Sequence, residues 1–141
     1  VYEGLLGIGH YFMDGAVELL ETLSREYRLY LATNGTSNVQ KSRISSAGIS
    51  KYFRGIYISE DVGYNKPDIR YFEACFKDIP SFIREETVMI GDSLTSDIKG
   101  GINAGIKTVW FNYEGKSRDE SIVPDYEVHS LDEIPALVKR I

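Results

Sequence analysis

The chain has 141 residues and a mass of 15.9 kDa, the size of one domain, with 43% hydrophobic and 26% charged residues. Sixteen basic residues against twenty-one acidic ones leave a formal charge of −5, which argues against a nucleic-acid partner. No apolar run reaches the roughly 20 residues of a membrane helix, and the start lacks the basic and apolar regions of a signal peptide.

Asp14 to Ser24 reads as a helix, with Asp14 as cap and Val17, Leu19, Leu20 and Leu23 at helical spacing. Leu29-Tyr30-Leu31-Ala32 is a short apolar strand that stops at Thr33-Asn34-Gly35. Ser37 opens a second helix with Gln40 completing a capping box, and Gly48 supplies its stop. Ile56-Tyr57-Ile58 is a strand; Pro67 suits the first turn of the next helix, whose apolar face is Ile69, Phe72 and Phe76.

Thr87-Val88-Met89-Ile90 is the third strand, ending at Gly91-Asp92, and the helix after it runs to Ala104 with Gly105 as stop. Thr108 to Phe111 is a fourth strand, residues 113–123 a polar loop, and Tyr126 to Val128 a short edge strand. Ser130 and Glu133 form a capping box before the terminal helix. Strands alternating with helices predict an α/β fold with a mostly parallel, right-handed sheet. Ligands of such sheets bind beyond the carboxyl ends of the strands.

Polar residues collect at those ends. Thr33-Asn34-Gly35 offers a hydroxyl and backbone amides suited to a phosphate oxygen, although Asn-Gly is also an ordinary turn pair. Lys66, just before Pro67, places a cation near a helix start. Asp92 at a strand end and Asp97 on the next turn supply carboxylates of the kind a hard cation such as Mg²⁺ takes, although spacing alone equally fits Asp92 and Ser93 as helix-cap residues. Single Cys75 excludes an internal disulfide and reads as a buried apolar residue, with a reducing, cytoplasmic setting as the expectation. His10 and His129 read as structural, Tyr64 lies near Lys66, and Gly7-Ile8-Gly9 lacks the third glycine of a dinucleotide fingerprint. A phospho-acceptor receiver domain is excluded by order, because Lys66 precedes Asp92.

In sequence order, strand-Thr33-Asn34-Gly35, Lys66-Pro67 and strand-Gly91-Asp92-Ser93-x-x-x-Asp97 resemble the haloacid dehalogenase superfamily of phosphohydrolases. The stretch from Ser59 to Pro67 and the run from Gly91 to Gly101 are most similar to its pyrimidine 5′-nucleotidase branch. The resemblance implies a three-layer Rossmann-like core over residues 14–141, preceded by a 1–13 remnant of a helical cap or linker. It implies two-step transfer through a phospho-aspartate, a small phosphorylated substrate, and Mg²⁺. Thr33 and Asn34 would hold phosphoryl oxygens, Lys66 would offset charge, Asp92 would bind Mg²⁺, and Asp97 would steady that shell or the lysine.

The family's first motif, a strand ending in Asp-x-Asp, occurs nowhere in the 141 residues. Tyr11 to Ala16 looks instead like the family's return from cap to core, with Asp14 a helix cap rather than a nucleophile. The sheet is therefore expected to miss its first, central strand, and the chain most of the cap. Something must fill that gap: an N-terminal piece, a second copy, or a rearranged 1–9 segment whose Gly4, Gly7 and Gly9 make a poor central strand. The two functional expectations are a phosphohydrolase whose nucleophile lies outside these residues, and a truncated, non-catalytic core that binds phosphate or a partner without turnover.

Overall fold

The computed structural model describes residues 15–141 and the backbone of Glu3–Gly7. Six strands form one parallel sheet: β1 (Glu3–Gly7), β2 (Arg28–Thr33), β3 (Gly55–Ile58), β4 (Thr87–Gly91), β5 (Lys107–Phe111) and β6 (Tyr126–Val128). Their order is β3-β2-β1-β4-β5-β6. The central place between β2 and β4 is thus taken by Glu3–Gly7, the third of the three occupants foreseen for it. Leu6 stands level with Leu31 on one side and Ile90 on the other. Gly4 and Gly7 did not prevent this, because two fixed neighbours offer a complete set of ladder partners, and unpaired backbone groups between them would be costly. Asp14, His10 and the remainder of 8–14 lie outside the described residues.

Alternation along the strands sorts the core into two faces. Leu29, Leu31, Val88, Ile90, Val109 and Phe111 pack on one side with α1 (Ala16–Ser24), Ile44 of α2 (Ser37–Ala47) and α6 (Ile134–Arg140). Tyr30, Ala32 and Met89 point to the other side, against Tyr71, Phe72, Cys75 and Phe76 of α4 (Ile69–Asp78) and Ala104 of α5 (Lys99–Ala104). The result is the expected three-layer α/β core. Cys75 is buried, and burial pushes its thiol up to about 12, as suits a packing residue rather than a nucleophile.

Several local expectations change. Helix α1 begins at Ala16 after a left-handed Gly15, and Val17 is solvent-exposed. Helix α2 has Thr36 as its N-cap and no capping box, since the Gln40 side chain turns to the preceding loop. Helix α4 is capped by Asp68, which accepts from the Arg70 N–H at 2.9 Å; Ile69 is exposed and Tyr71 takes the buried place. A short helix, α3 (Ser59–Val62), follows β3 directly. The Gly48 and Gly105 stops and the Ser130–Glu133 capping box are present as read.

Helix α5 lies tight against α4 because Gly100 has no side chain. A Cβ there would press into the ring of fully buried Phe72 and come within 3.3 Å of the Pro67 Cα. Gly100→Ala is expected to destabilise the fold by about 1–3 kcal/mol. Urea unfolding checks this; an unchanged midpoint would show that the ring moves aside freely.

Candidate functional site

Because β2 and β4 run parallel and both flank β1, their carboxyl ends open on the same rim. Thr33 and Asp92 each lie two residues beyond the level of Leu6. Two strand spacings put these positions about 10 Å apart across the rim.

Lys66 bridges that interval. Its chain enters from the loop after β3 and is buried. The Nζ donates to the Ala32 carbonyl at 2.9 Å and to Asp97 Oδ1 at 2.5 Å. Asp97 is 1% exposed, so the pair is shielded from water. A buried charge without a partner is expensive, and here each group supplies the other.

The turn after β4 delivers Asp97. Residues Leu94–Ile98 form a π-helical turn, with the Ile98 N–H reaching the Ser93 carbonyl at 3.1 Å. This wide turn folds the Asp97 carboxyl back under the strand end, where Oδ2 accepts from the Ser93 N–H at 3.3 Å. Gly91 makes the approach feasible: a Cβ there would lie 2.5 Å from the Asp97 Cβ and Cγ. Burial raises Asp97 to about 6, against the opposing pull of Lys66.

The Thr33-Asn34-Gly35 turn is held from three directions. The Asn34 amide pairs twice with the Lys66 backbone: Nδ2 donates to the carbonyl at 3.2 Å, and Oδ1 accepts from the N–H at 2.9 Å. The side chain expected to hold a phosphoryl oxygen is thus engaged in positioning the lysine loop. The Gly35 N–H donates to Ser59 Oγ at 2.9 Å, so this amide too has an internal partner. Gln40 Nε2 donates to Thr33 Oγ1 at 2.9 Å and to the Asn34 carbonyl at 2.7 Å. Gln40 and Ser59 were not singled out in the sequence. Gln40 carried a signal, since a glutamine four residues before Ile44 shares its buried helical face.

Asp92 is half-buried, and its backbone carbonyl accepts from the Trp110 indole N–H at 3.1 Å. It lines a cavity of about 280 Å³ with Ser93, Trp110, Asn112 and Tyr113. Lys66 lines a separate cavity of about 670 Å³ with Asn65, Pro67, Asp68 and Asn103. Tyr64 is exposed and stacks under the Arg70 guanidinium at 4.6 Å, and His129 pairs with Glu127 at the surface.

The oxygen donor at Asp92 fits a hard divalent cation as far as one carboxylate can, since Mg²⁺ takes one or two carboxylates and fills the rest of its shell with water and phosphate. Among the described residues, no group of three or more His, Cys, Asp or Glu could hold a metal.

Two outcomes follow from the ion pair. A ¹³C titration of the Asp97 carboxyl, assigned with Asp97→Asn, is expected to show a midpoint at about 6, against 3.8 for a free carboxyl. The folded state then holds this proton more tightly than the unfolded one. This group's contribution to stability therefore grows as pH falls from about 6 to about 4, and is lost as pH rises through that window. A midpoint below 4 would mean that Lys66 outweighs burial. Gly91→Ala should displace Asp97 and destabilise by about 1–3 kcal/mol; hydrogen exchange of the Ser93 and Asp97 amides reads the displacement, and unchanged protection would refute it.

Residues 9–111 match the haloacid dehalogenase-like hydrolase family. Over 133 residues the chain is 43% identical to the HAD-hydrolase YfnB of Bacillus subtilis, covering 94% of this chain and 57% of that protein. It is 42% identical over 123 residues to the pyrimidine 5′-nucleotidase PynA of Streptococcus pneumoniae, covering 86% and 52%. The crystal structure of YfnB bound to magnesium superposes with a TM-score of 0.87 at 42% identity, over 89% of this chain and 55% of that one. The chain therefore spans about half the length of the curated relatives it matches. By the family match and these identities, the chain belongs to the haloacid dehalogenase-like hydrolases.

Proposed function

We propose that these residues form the phosphate- and cation-binding side of a Mg²⁺-dependent phosphomonoester hydrolase acting on nucleoside 5′-monophosphates. The observation that carries this reading is the buried Lys66 ammonium, fixed between the end of β2 and the turn after β4. Phosphoryl transfer asks mainly for alignment and charge neutralisation, and a pre-set cation supplies both without reorganising. The match to pyrimidine 5′-nucleotidase PynA and, at 36% identity, to pyrimidine 5′-nucleotidase YjjG of Escherichia coli supports the substrate class. A 38% identical N-acylneuraminate-9-phosphatase of Mus musculus supports a phosphate ester more generally.

In this reading the Thr33 hydroxyl donates to a phosphoryl oxygen, and Lys66 draws negative charge toward the rim. Asp97 holds the lysine at its station rather than touching substrate. Asp92 would hold Mg²⁺, which when bound offsets phosphate charge. The aspartate that attacks phosphorus comes from outside these 141 residues, which contain no Asp-x-Asp. The partner is a small phosphorylated molecule and not a nucleic acid, in keeping with the charge of −5. No helix among the described residues is long and apolar enough to cross a membrane; a cytoplasmic setting is part of the proposal and rests on the single buried cysteine.

The test is hydrolysis of a panel of phosphate esters, nucleoside monophosphates included, by the full gene product with Mg²⁺. Asp92→Asn and Lys66→Met are each expected to lower the rate about a hundredfold or more. Indifference to Asp92→Asn removes its metal role. Turnover by the 141-residue chain alone would place the nucleophile within it. A full product that hydrolyses nothing on the panel favours the binding-only core.

A further inference from the structure

The residue that would hold the cation, Asp92, stands just past the end of its strand. The ladders on both sides of β4 stop at Gly91. One residue further, the Asp92 carbonyl accepts from the Trp110 indole N–H at 3.1 Å. Trp110 belongs to β5, level with Gly91, and is 3% exposed. Val109 and Phe111 face the side of α1, so alternation turns the indole to the opposite side. There it lies in a small cluster with Ile98 and Ile122, with Leu94 packed against it. Leu94 and Ile98 are the two ends of the π-helical turn that delivers Asp97. A buried indole N–H needs a partner, and here that partner is the backbone of the cation-site residue itself.

The peptide that joins Asp92 to Ser93 is held at both ends. Its two polar groups point in opposite directions, as in any trans peptide. The carbonyl takes the indole N–H, and the Ser93 N–H goes to Asp97 Oδ2 at 3.3 Å. Asp97 Oδ1 in turn meets Lys66 Nζ. One line of hydrogen bonds thus runs from the indole through this peptide and the Asp97 carboxyl to the lysine. The strand fixes the peptide before Asp92 and this clamp fixes the peptide after it, so the bond from its Cα to its side chain has one direction. We propose that Trp110 is a positioning residue of the cation site: its indole N–H, by holding the Asp92–Ser93 peptide plane against Asp97, aims the Asp92 carboxylate at the divalent cation. The inference rests on the cation reading of Asp92 given above and deepens it.

The probe is Mn²⁺, which takes the same oxygen ligands as Mg²⁺ and whose binding is read from water proton relaxation. The protein is the full gene product, as wild type, Trp110→Phe and Ile122→Ala, with thermal unfolding as the check on folding. Trp110→Phe keeps an aromatic ring in the cluster and removes the donor. Groups that orient a metal ligand are worth about ten- to a hundredfold in affinity, so this variant is expected to weaken Mn²⁺ about tenfold. Ile122→Ala removes packing from the same cluster and keeps the donor. Its cost falls on stability, and its Mn²⁺ affinity is expected to stay within about twofold of wild type. A second readout needs no variant. The Trp110 indole N–H resonance, identified by the ring's NOEs to Ile98 and Ile122, is expected to move saturably as Mg²⁺ is added.

A folded Trp110→Phe that binds Mn²⁺ within about twofold of wild type overturns the proposal and leaves the cation reading of Asp92 intact. An Ile122→Ala that loses as much Mn²⁺ affinity as Trp110→Phe also overturns it, since packing would then account for both. If Trp110→Phe does not fold, the resonance decides alone, and an indole N–H unmoved by saturating Mg²⁺ sinks the inference. A wild-type product that binds no Mn²⁺ overturns the cation reading itself and this inference with it, an outcome visible before any variant is made.

Discussion

One buried ion pair organises this molecule. Lys66 and Asp97 come from segments thirty-one positions apart and meet at 2.5 Å beneath the strand ends, out of reach of water. Neither charge is tolerable there alone, since stripping an ion of water costs several kcal/mol unless a partner replaces it. The surroundings are arranged around that meeting. Gly91 is bare so that the carboxyl can come close, the π-helical turn supplies the extra residue that aims it, and Asn34 grips the lysine loop by both backbone groups. Breaking the pair would therefore disturb β2, β4 and the loop after β3 together.

Much of this was readable in the sequence, because the strong signals are physical ones. Apolar runs bounded by Thr33-Asn34-Gly35 and Gly91-Asp92 marked strands and their exits, and Gly48 and Gly105 marked helix ends. Exposure was read less well. Val17 and Ile69 fell on helical stripes, yet a nine- and a ten-residue helix on a twisted sheet bury only a narrow band, and both residues sit on its edge. The Ser37–Gln40 spacing imitated a capping box. The glutamine had a better offer from two acceptors of the preceding turn, a tertiary contact that no local pattern encodes. The identity of the central strand was equally hidden. A glycine-rich segment is a poor strand judged alone, and its place is set by the register of its two neighbours.

In the proposed reading, the arrangement also divides labour within the family's chemistry. Groups that neutralise and align are held on strand ends and short turns with buried polar support, where rotamers are locked by packing. Relatives about twice as long carry chain beyond the part that these residues match. If the proposed function holds, stability and anion handling share the same small set of hydrogen bonds, and the two properties are not independent under mutation.

The indole of Trp110 is the sole tryptophan in the sequence, and it is tethered to the carbonyl of Asp92. Its emission therefore originates at the mouth of the sheet and nowhere else. Excitation at the red edge of the ultraviolet, where the ten tyrosines do not absorb, illuminates that single spot and makes these residues their own optical gauge of whatever arrives there.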